Sequence, residues 1–136
     1  MKKIILLLLI LIFSFTLFNG CKNTDDIYVS EPYDYSDFEY KEDKSVAESL
    51  SIPEHKLKYM TTEALVKTIQ NIPDDILLIF NAFTPEKFDI FVSEYNVLKE
   101  LSKRKDKSEY IEKALNEYIG REEENATYIK LFESCK

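Results

Sequence analysis

The chain has 136 residues, a net charge of −7, 2 glycines, 2 cysteines and no tryptophan. The acidic balance excludes nucleic acid as a partner, because phosphate binding draws on a basic stripe. So few glycines disfavour loop-rich and phosphate-cradling folds, and the length bounds the molecule to one domain.

In chain order, Met1-Lys2-Lys3 is a short positive start. Ile4 to Leu17 is then almost wholly Ile, Leu and Phe, with Ser14 and Thr16 its only polar side chains. That run has about the length of a signal-peptide core and is short for a bilayer crossing. Leu17-Phe18-Asn19-Gly20-Cys21 closes it and resembles the lipobox of bacterial lipoproteins. The resemblance implies removal of residues 1–20, with diacylglycerol on the Cys21 thiol and Gly20 at the small position. The usual aliphatic residue three before the cysteine is Phe18 here, with Leu17 one further back, which implies slower processing. The alternative is an uncleaved N-terminal anchor. Both place the rest of the chain outside the cytoplasm, at a membrane. Losing Lys2 and Lys3 takes the charge from −7 to −9. Anionic head groups repel such a chain, so the lipid must hold it there, and stable holding takes more than one acyl chain.

Residues 22–44 carry eight acids and three lysines, without helical or strand periodicity. This is the composition of a disordered, solvated linker after the lipidated cysteine, covering residues 21–44. Its aromatic residues alternate with acids, which suits either a spacer without a role or a segment that docks on a partner, with Tyr33, Tyr35 and Tyr40 as candidate partner contacts. The acids lack EF-hand spacing, so no metal site is expected.

Residues 45–136 read as an all-α domain, a small bundle of five or six short helices. Pro53 suits the first turn of a short helix bearing Leu57 and Met60. Thr61 offers an N-cap to a helix whose apolar face is Leu65, Val66 and Ile69, ended before Pro73. Asp74 and Asp75 open Ile76-Leu77-Leu78-Ile79-Phe80, which is apolar on every side; the acids favour a central helix over a buried strand. Thr84-Pro85-Glu86 is the clearest helix start, and the periodicity predicts a helix to about Ser102. Phe88, Phe91, Val92, Tyr95, Leu98 and Leu101 form its core face. Ile90 and Val97 lie one heptad apart on another face, so the helix is either sandwiched or shows them to a partner as further candidate contacts. Lys103, Arg104, Lys105 and Lys107 suit its negative end. Ser108 caps a further helix ending near Gly120, and a last short helix covers about Thr127 to Cys135. With Cys21 on lipid, Cys135 has no disulfide partner. Its register with Tyr128, Leu131 and Phe132 predicts a half-buried small hydrophobe, the alternative being a reactive thiol.

Ile52-Pro53-Glu54, Leu57, Met60-Thr61-Thr62-Glu63-Ala64-Leu65-Val66, Thr68 and Pro73 form a pattern with Tyr95-Asn96-Val97-Leu98-Lys99-Glu100-Leu101. Over about residues 51–119 it resembles an uncharacterised family of secreted and lipid-anchored Gram-positive bacterial proteins. The resemblance implies location and fold rather than chemistry. Relatives in that family tend to continue further, which implies that Lys136 is a truncated end.

Little in the chain points to catalysis. His55 is the single histidine, so neither a zinc site nor a serine–histidine arrangement is expected. No cofactor is implied. The reading is a non-enzymatic interaction module bound to an envelope protein or polymer. The alternatives are a small envelope enzyme or accessory, and a fragment without a role.

Overall fold

The computed structural model describes residues 28–41 and 43–136. The expected signal segment, with Leu17, Phe18, Asn19, Gly20 and Cys21, lies outside the described residues. The described part is all-α, with eight helices: α1 (Val46–Leu50), α2 (Glu54–Leu57), α3 (Thr62–Gln70), α4 (Asp74–Asn81), α5 (Pro85–Glu94), α6 (Asn96–Ser102), α7 (Lys107–Asn116) and α8 (Ala126–Glu133). The count exceeds the expected five or six because Ser45 nucleates an additional short helix and one predicted long helix breaks in two.

Side-chain caps account for three of the eight starts. The side chains of Ser45, Thr61 and Thr84 accept the backbone N–H groups of Glu48, Ala64 and Lys87. Each satisfies one of the donors a helix start leaves open. Pro85 follows its cap at the first helical position, where its missing N–H costs nothing. At the end of α6, the Lys107 ammonium donates to the Ser102 carbonyl at 3.0 Å, as expected of a cation at a negative helix end. Gly120 adopts φ +79°, in the left-handed region expected of it, but α7 has already ended at Asn116.

Packing centres on α3. Ala64, Leu65 and Ile69 are fully buried, and α3 meets both α6 and α7. Around this centre α1 lies on α5, and α8 on α4 and α7. The α4 run, expected to be central, buries only Ile76 and Phe80, four residues apart. Leu78 on the opposite side is 70 % exposed. One face of α4 suffices because the helix lies at the edge of the bundle.

The helix predicted from Thr84 to Ser102 breaks at Tyr95, whose backbone is extended (φ −65°, ψ 113°). Asn96 explains the break. Its side-chain amide accepts the Ile52 N–H at 3.2 Å and donates to the Ile52 carbonyl at 2.7 Å. Ile52 is buried in the extended link between α1 and α2, where its peptide groups have no helical partners. Asn96 thus acts as a strand neighbour for one residue. Asn96→Ala is expected to cost about 1–3 kcal/mol, because both Ile52 groups lose their partner in the interior. Urea unfolding followed by circular dichroism measures this, and a loss well under the lower bound would remove the bond from the account of the break.

The break also corrects one expected contact residue. Ile90 and Val97 share a face only on a continuous helix. With the chain extended at Tyr95, Ile90 stays 56 % exposed while Val97 turns fully inward at 0 %. Val97 is core and offers no surface to a partner.

The linker expectation is corrected for its described part. Residues 28–41 are not a free tether, because they lie folded on the domain through Tyr35.

Candidate binding cleft

The N-terminal segment docks by three successive attachments. Val29 forms an isolated parallel bridge with Met60. The Val29 N–H donates to the Tyr59 carbonyl at 2.6 Å, and the Thr61 N–H to the Val29 carbonyl at 3.0 Å. Four residues on, the Tyr33 N–H donates to the Thr68 hydroxyl at 2.8 Å, and that hydroxyl donates to the Ala64 carbonyl at 2.7 Å. Thr68 is therefore a buried polar residue with both its roles filled.

Tyr35 is the third attachment. Its ring is buried, and its hydroxyl lies 2.8 Å from the Leu50 carbonyl and 2.8 Å from the Tyr95 hydroxyl. The carbonyl can only accept, so the single Tyr35 proton goes to Leu50. Tyr95 must then donate to Tyr35. Burial pushes both phenol groups far above the ordinary tyrosine range. Asp34 shapes the turn that follows, accepting the Ser36 N–H at 2.8 Å and the Ser36 hydroxyl at 3.0 Å. Tyr33 and Phe38 pack edge-on to the Tyr35 ring, at 5.2 and 6.1 Å between centroids.

Between this segment and α2 lies a cleft of about 500 Å³. Pro32 and Tyr33 line it from the segment and Tyr59 and Met60 from the chain after α2, with Glu31, Asp34, His55 and Lys56 also in the lining. The Lys56 ammonium lies 5.5 Å from the Tyr33 ring centre, and the Lys58 ammonium 4.7 Å from that of Tyr59. Both are within cation–π range. The cleft offers aromatic faces for stacking and charges of both signs for orienting a ligand. His55 is exposed.

Two other concavities lie among α1, α4, α5 and α8. One, of about 540 Å³, has Phe80, Phe83 and Phe88 in its lining and Lys130 and Glu133 beside them. A smaller groove of about 140 Å³ runs past Ile90, with Val46, Ala47 and Phe91 in its lining. Phe83 belongs to both.

The expected contact residues therefore separate. Tyr33 lines the first cleft, Ile90 the small groove, and Tyr40 is exposed. Tyr35 is corrected from contact to core: its ring supplies the apolar anchor that holds the segment down. Sequence reasoning missed Tyr59, Lys56 and Met60, because their cleft exists only once a distant segment pairs beside them. The available signal was Tyr28-Val29, two adjacent strand-forming residues in the acidic tract.

Cys135 is buried, further than the expected half, and burial pushes its thiol above the ordinary range. Both features oppose a reactive role. Among the described residues no cluster of His, Cys, Asp or Glu is arranged to hold a metal ion. Among the same residues no helix is long and apolar enough to cross a membrane.

The chain matches no family model, no curated protein and no solved structure.

Proposed function

We propose that this chain is an extracytoplasmic lipoprotein, anchored through lipid on Cys21, whose helical domain is a non-catalytic binding module for an envelope protein or polymer. The charged start, the apolar run and Gly20-Cys21 support the anchor. The resemblance of residues 51–119 to secreted and lipid-anchored proteins fits the same location.

One observation carries the binding reading. The Tyr-acid segment is folded against the domain, and its outer edge forms an aromatic cleft with α2. Pre-formed concave sites with a few convergent polar groups are the usual form of a ligand site. Tyr33, Tyr59 and Lys56 would contact the ligand, and Glu31 and Asp34 would orient it.

The anchor is tested by expressing the full chain and its Cys21→Ala variant in a Gram-positive host. The expected outcome is a diacylglyceryl group on Cys21 by mass spectrometry, and release of the variant from the membrane fraction in high salt. Retention of Cys21→Ala at the parental level would instead mean an uncleaved anchor. The cleft is tested by crosslinking on intact cells, comparing the parent with Tyr33→Ser/Tyr59→Ser. Loss of one recurrent envelope partner in that variant supports the module. An unchanged capture pattern moves the surface elsewhere.

A further inference from the structure

The docked segment changes how far the domain stands from its anchor. Were residues 22–44 a free linker, the domain would range widely above the bilayer. Because Val29 is already paired with Met60, only the stretch from Cys21 to Tyr28 is left to separate lipid from fold. Seven residue steps reach at most roughly 23–25 Å when fully extended. A domain of this size has a radius of gyration of about 13 Å, so even that reach is no longer than the domain is wide. The end carrying Tyr28 and Val29 is therefore held toward the membrane.

The chemistry of that end suits a head-group layer. Tyr28 is 54 % exposed, and Val29 and Tyr59 beside it are exposed as well. Residues 55–62, between Glu54 and Glu63, contain Lys56 and Lys58 and no acid. The two ammonium groups stand near the Tyr33 and Tyr59 rings. Tyrosine and lysine are the side chains that settle where hydrocarbon meets head group, each with an apolar body and a polar tip. Glu31 and Asp34, on the segment side of the cleft, oppose an anionic surface, so the contact rests on the rings more than on net charge.

We propose that the face formed by Tyr28, Val29, Tyr59 and Lys58 rests on the outer head-group layer of the bilayer that holds the lipid. The inference rests on the lipid-anchor reading. It sets the aromatic cleft at the membrane surface, whereas Lys130 stands on α8, which packs mainly on α4 and α7 rather than on the docked segment.

The experiment uses the mature, lipidated full chain in phosphatidylcholine–phosphatidylglycerol vesicles carrying a head-group quencher. A fluorophore is placed at Lys58→Cys or at Lys130→Cys, in a Cys135→Ala background. The expected result is quenching several-fold stronger at position 58 than at position 130. Adding Tyr28→Ser and Tyr59→Ser should clearly weaken the quenching at position 58, leaving only the part that tether length produces. Equal quenching at both positions on a chain whose Cys21 carries lipid overturns the orientation while leaving the anchor intact. Strong quenching at position 58 that survives the serine pair overturns the contact, leaving tether length as the cause. Absence of lipid on Cys21 by mass spectrometry overturns the anchor and the orientation together.

Discussion

Replacing Tyr35 by alanine is expected to destabilise the helical domain by about 3–5 kcal/mol, the range for deleting a large buried ring. The ring fills a site between α1 and the α5–α6 break, and its hydroxyl serves the Leu50 carbonyl and the Tyr95 hydroxyl. The conservative variants separate packing from hydrogen bonding. Tyr35→Phe keeps the ring but strands both the Leu50 carbonyl and the Tyr95 proton in the interior, at a cost of about 1–3 kcal/mol. Tyr95→Phe leaves the Tyr35–Leu50 bond intact, and should cost only about 0.5–1.5 kcal/mol. Urea unfolding at neutral pH checks all three values. The order matters more than the sizes: Tyr95→Phe costing more than Tyr35→Phe would mean that the Leu50 carbonyl does not depend on the Tyr35 hydroxyl. A Tyr35→Ala effect near zero would mean that residues 28–41 are a linker after all.

The second large effect is alkaline unfolding. Tyr35 and Tyr95 are held neutral by burial, so their folded values lie above the ordinary 10.0. A raised value means that the folded state keeps its proton while the unfolded state loses it. The stability is therefore fully present below pH 10 and is lost as pH rises above it. For two such groups the slope is about 2.7 kcal/mol per pH unit, since each contributes about 1.36 kcal/mol. Tyr128, pushed up to about 12 by its partly buried position, and Tyr118 add to the slope in the same direction. Stability measured in urea between pH 8 and pH 12 should hold constant to about pH 10 and then fall steeply. In Tyr35→Phe the fall should be shallower, by roughly the share of one group. A curve that stays flat through pH 12 would contradict the burial of this pair.

The sequence by itself determined the helical class, most helix starts and much of the core. Thr61, Thr84 and Pro85 act through the next few residues, so their effect is the same in any tertiary setting. The spacing of Leu65 and Ile69, or of Phe91 and Leu98, marks a buried face whatever that face meets. The tertiary structure alone decided three matters. It broke the helix at Tyr95, because Asn96 bonds to Ile52, 44 residues earlier. It turned Val97 inward, because the break removes the heptad relation with Ile90. It also folded Tyr28 to Lys41 onto the domain, since the site for Tyr35 is assembled from Leu50 and Tyr95. Composition marks that stretch as a linker because eight acids between residues 22 and 44 outweigh its aromatics in any average. A single buried ring with both hydroxyl partners in place is enough to reverse it, and no local pattern reports where those partners lie. The candidate cleft follows from the same long-range pairing, so its residues were legible one by one but not as a site.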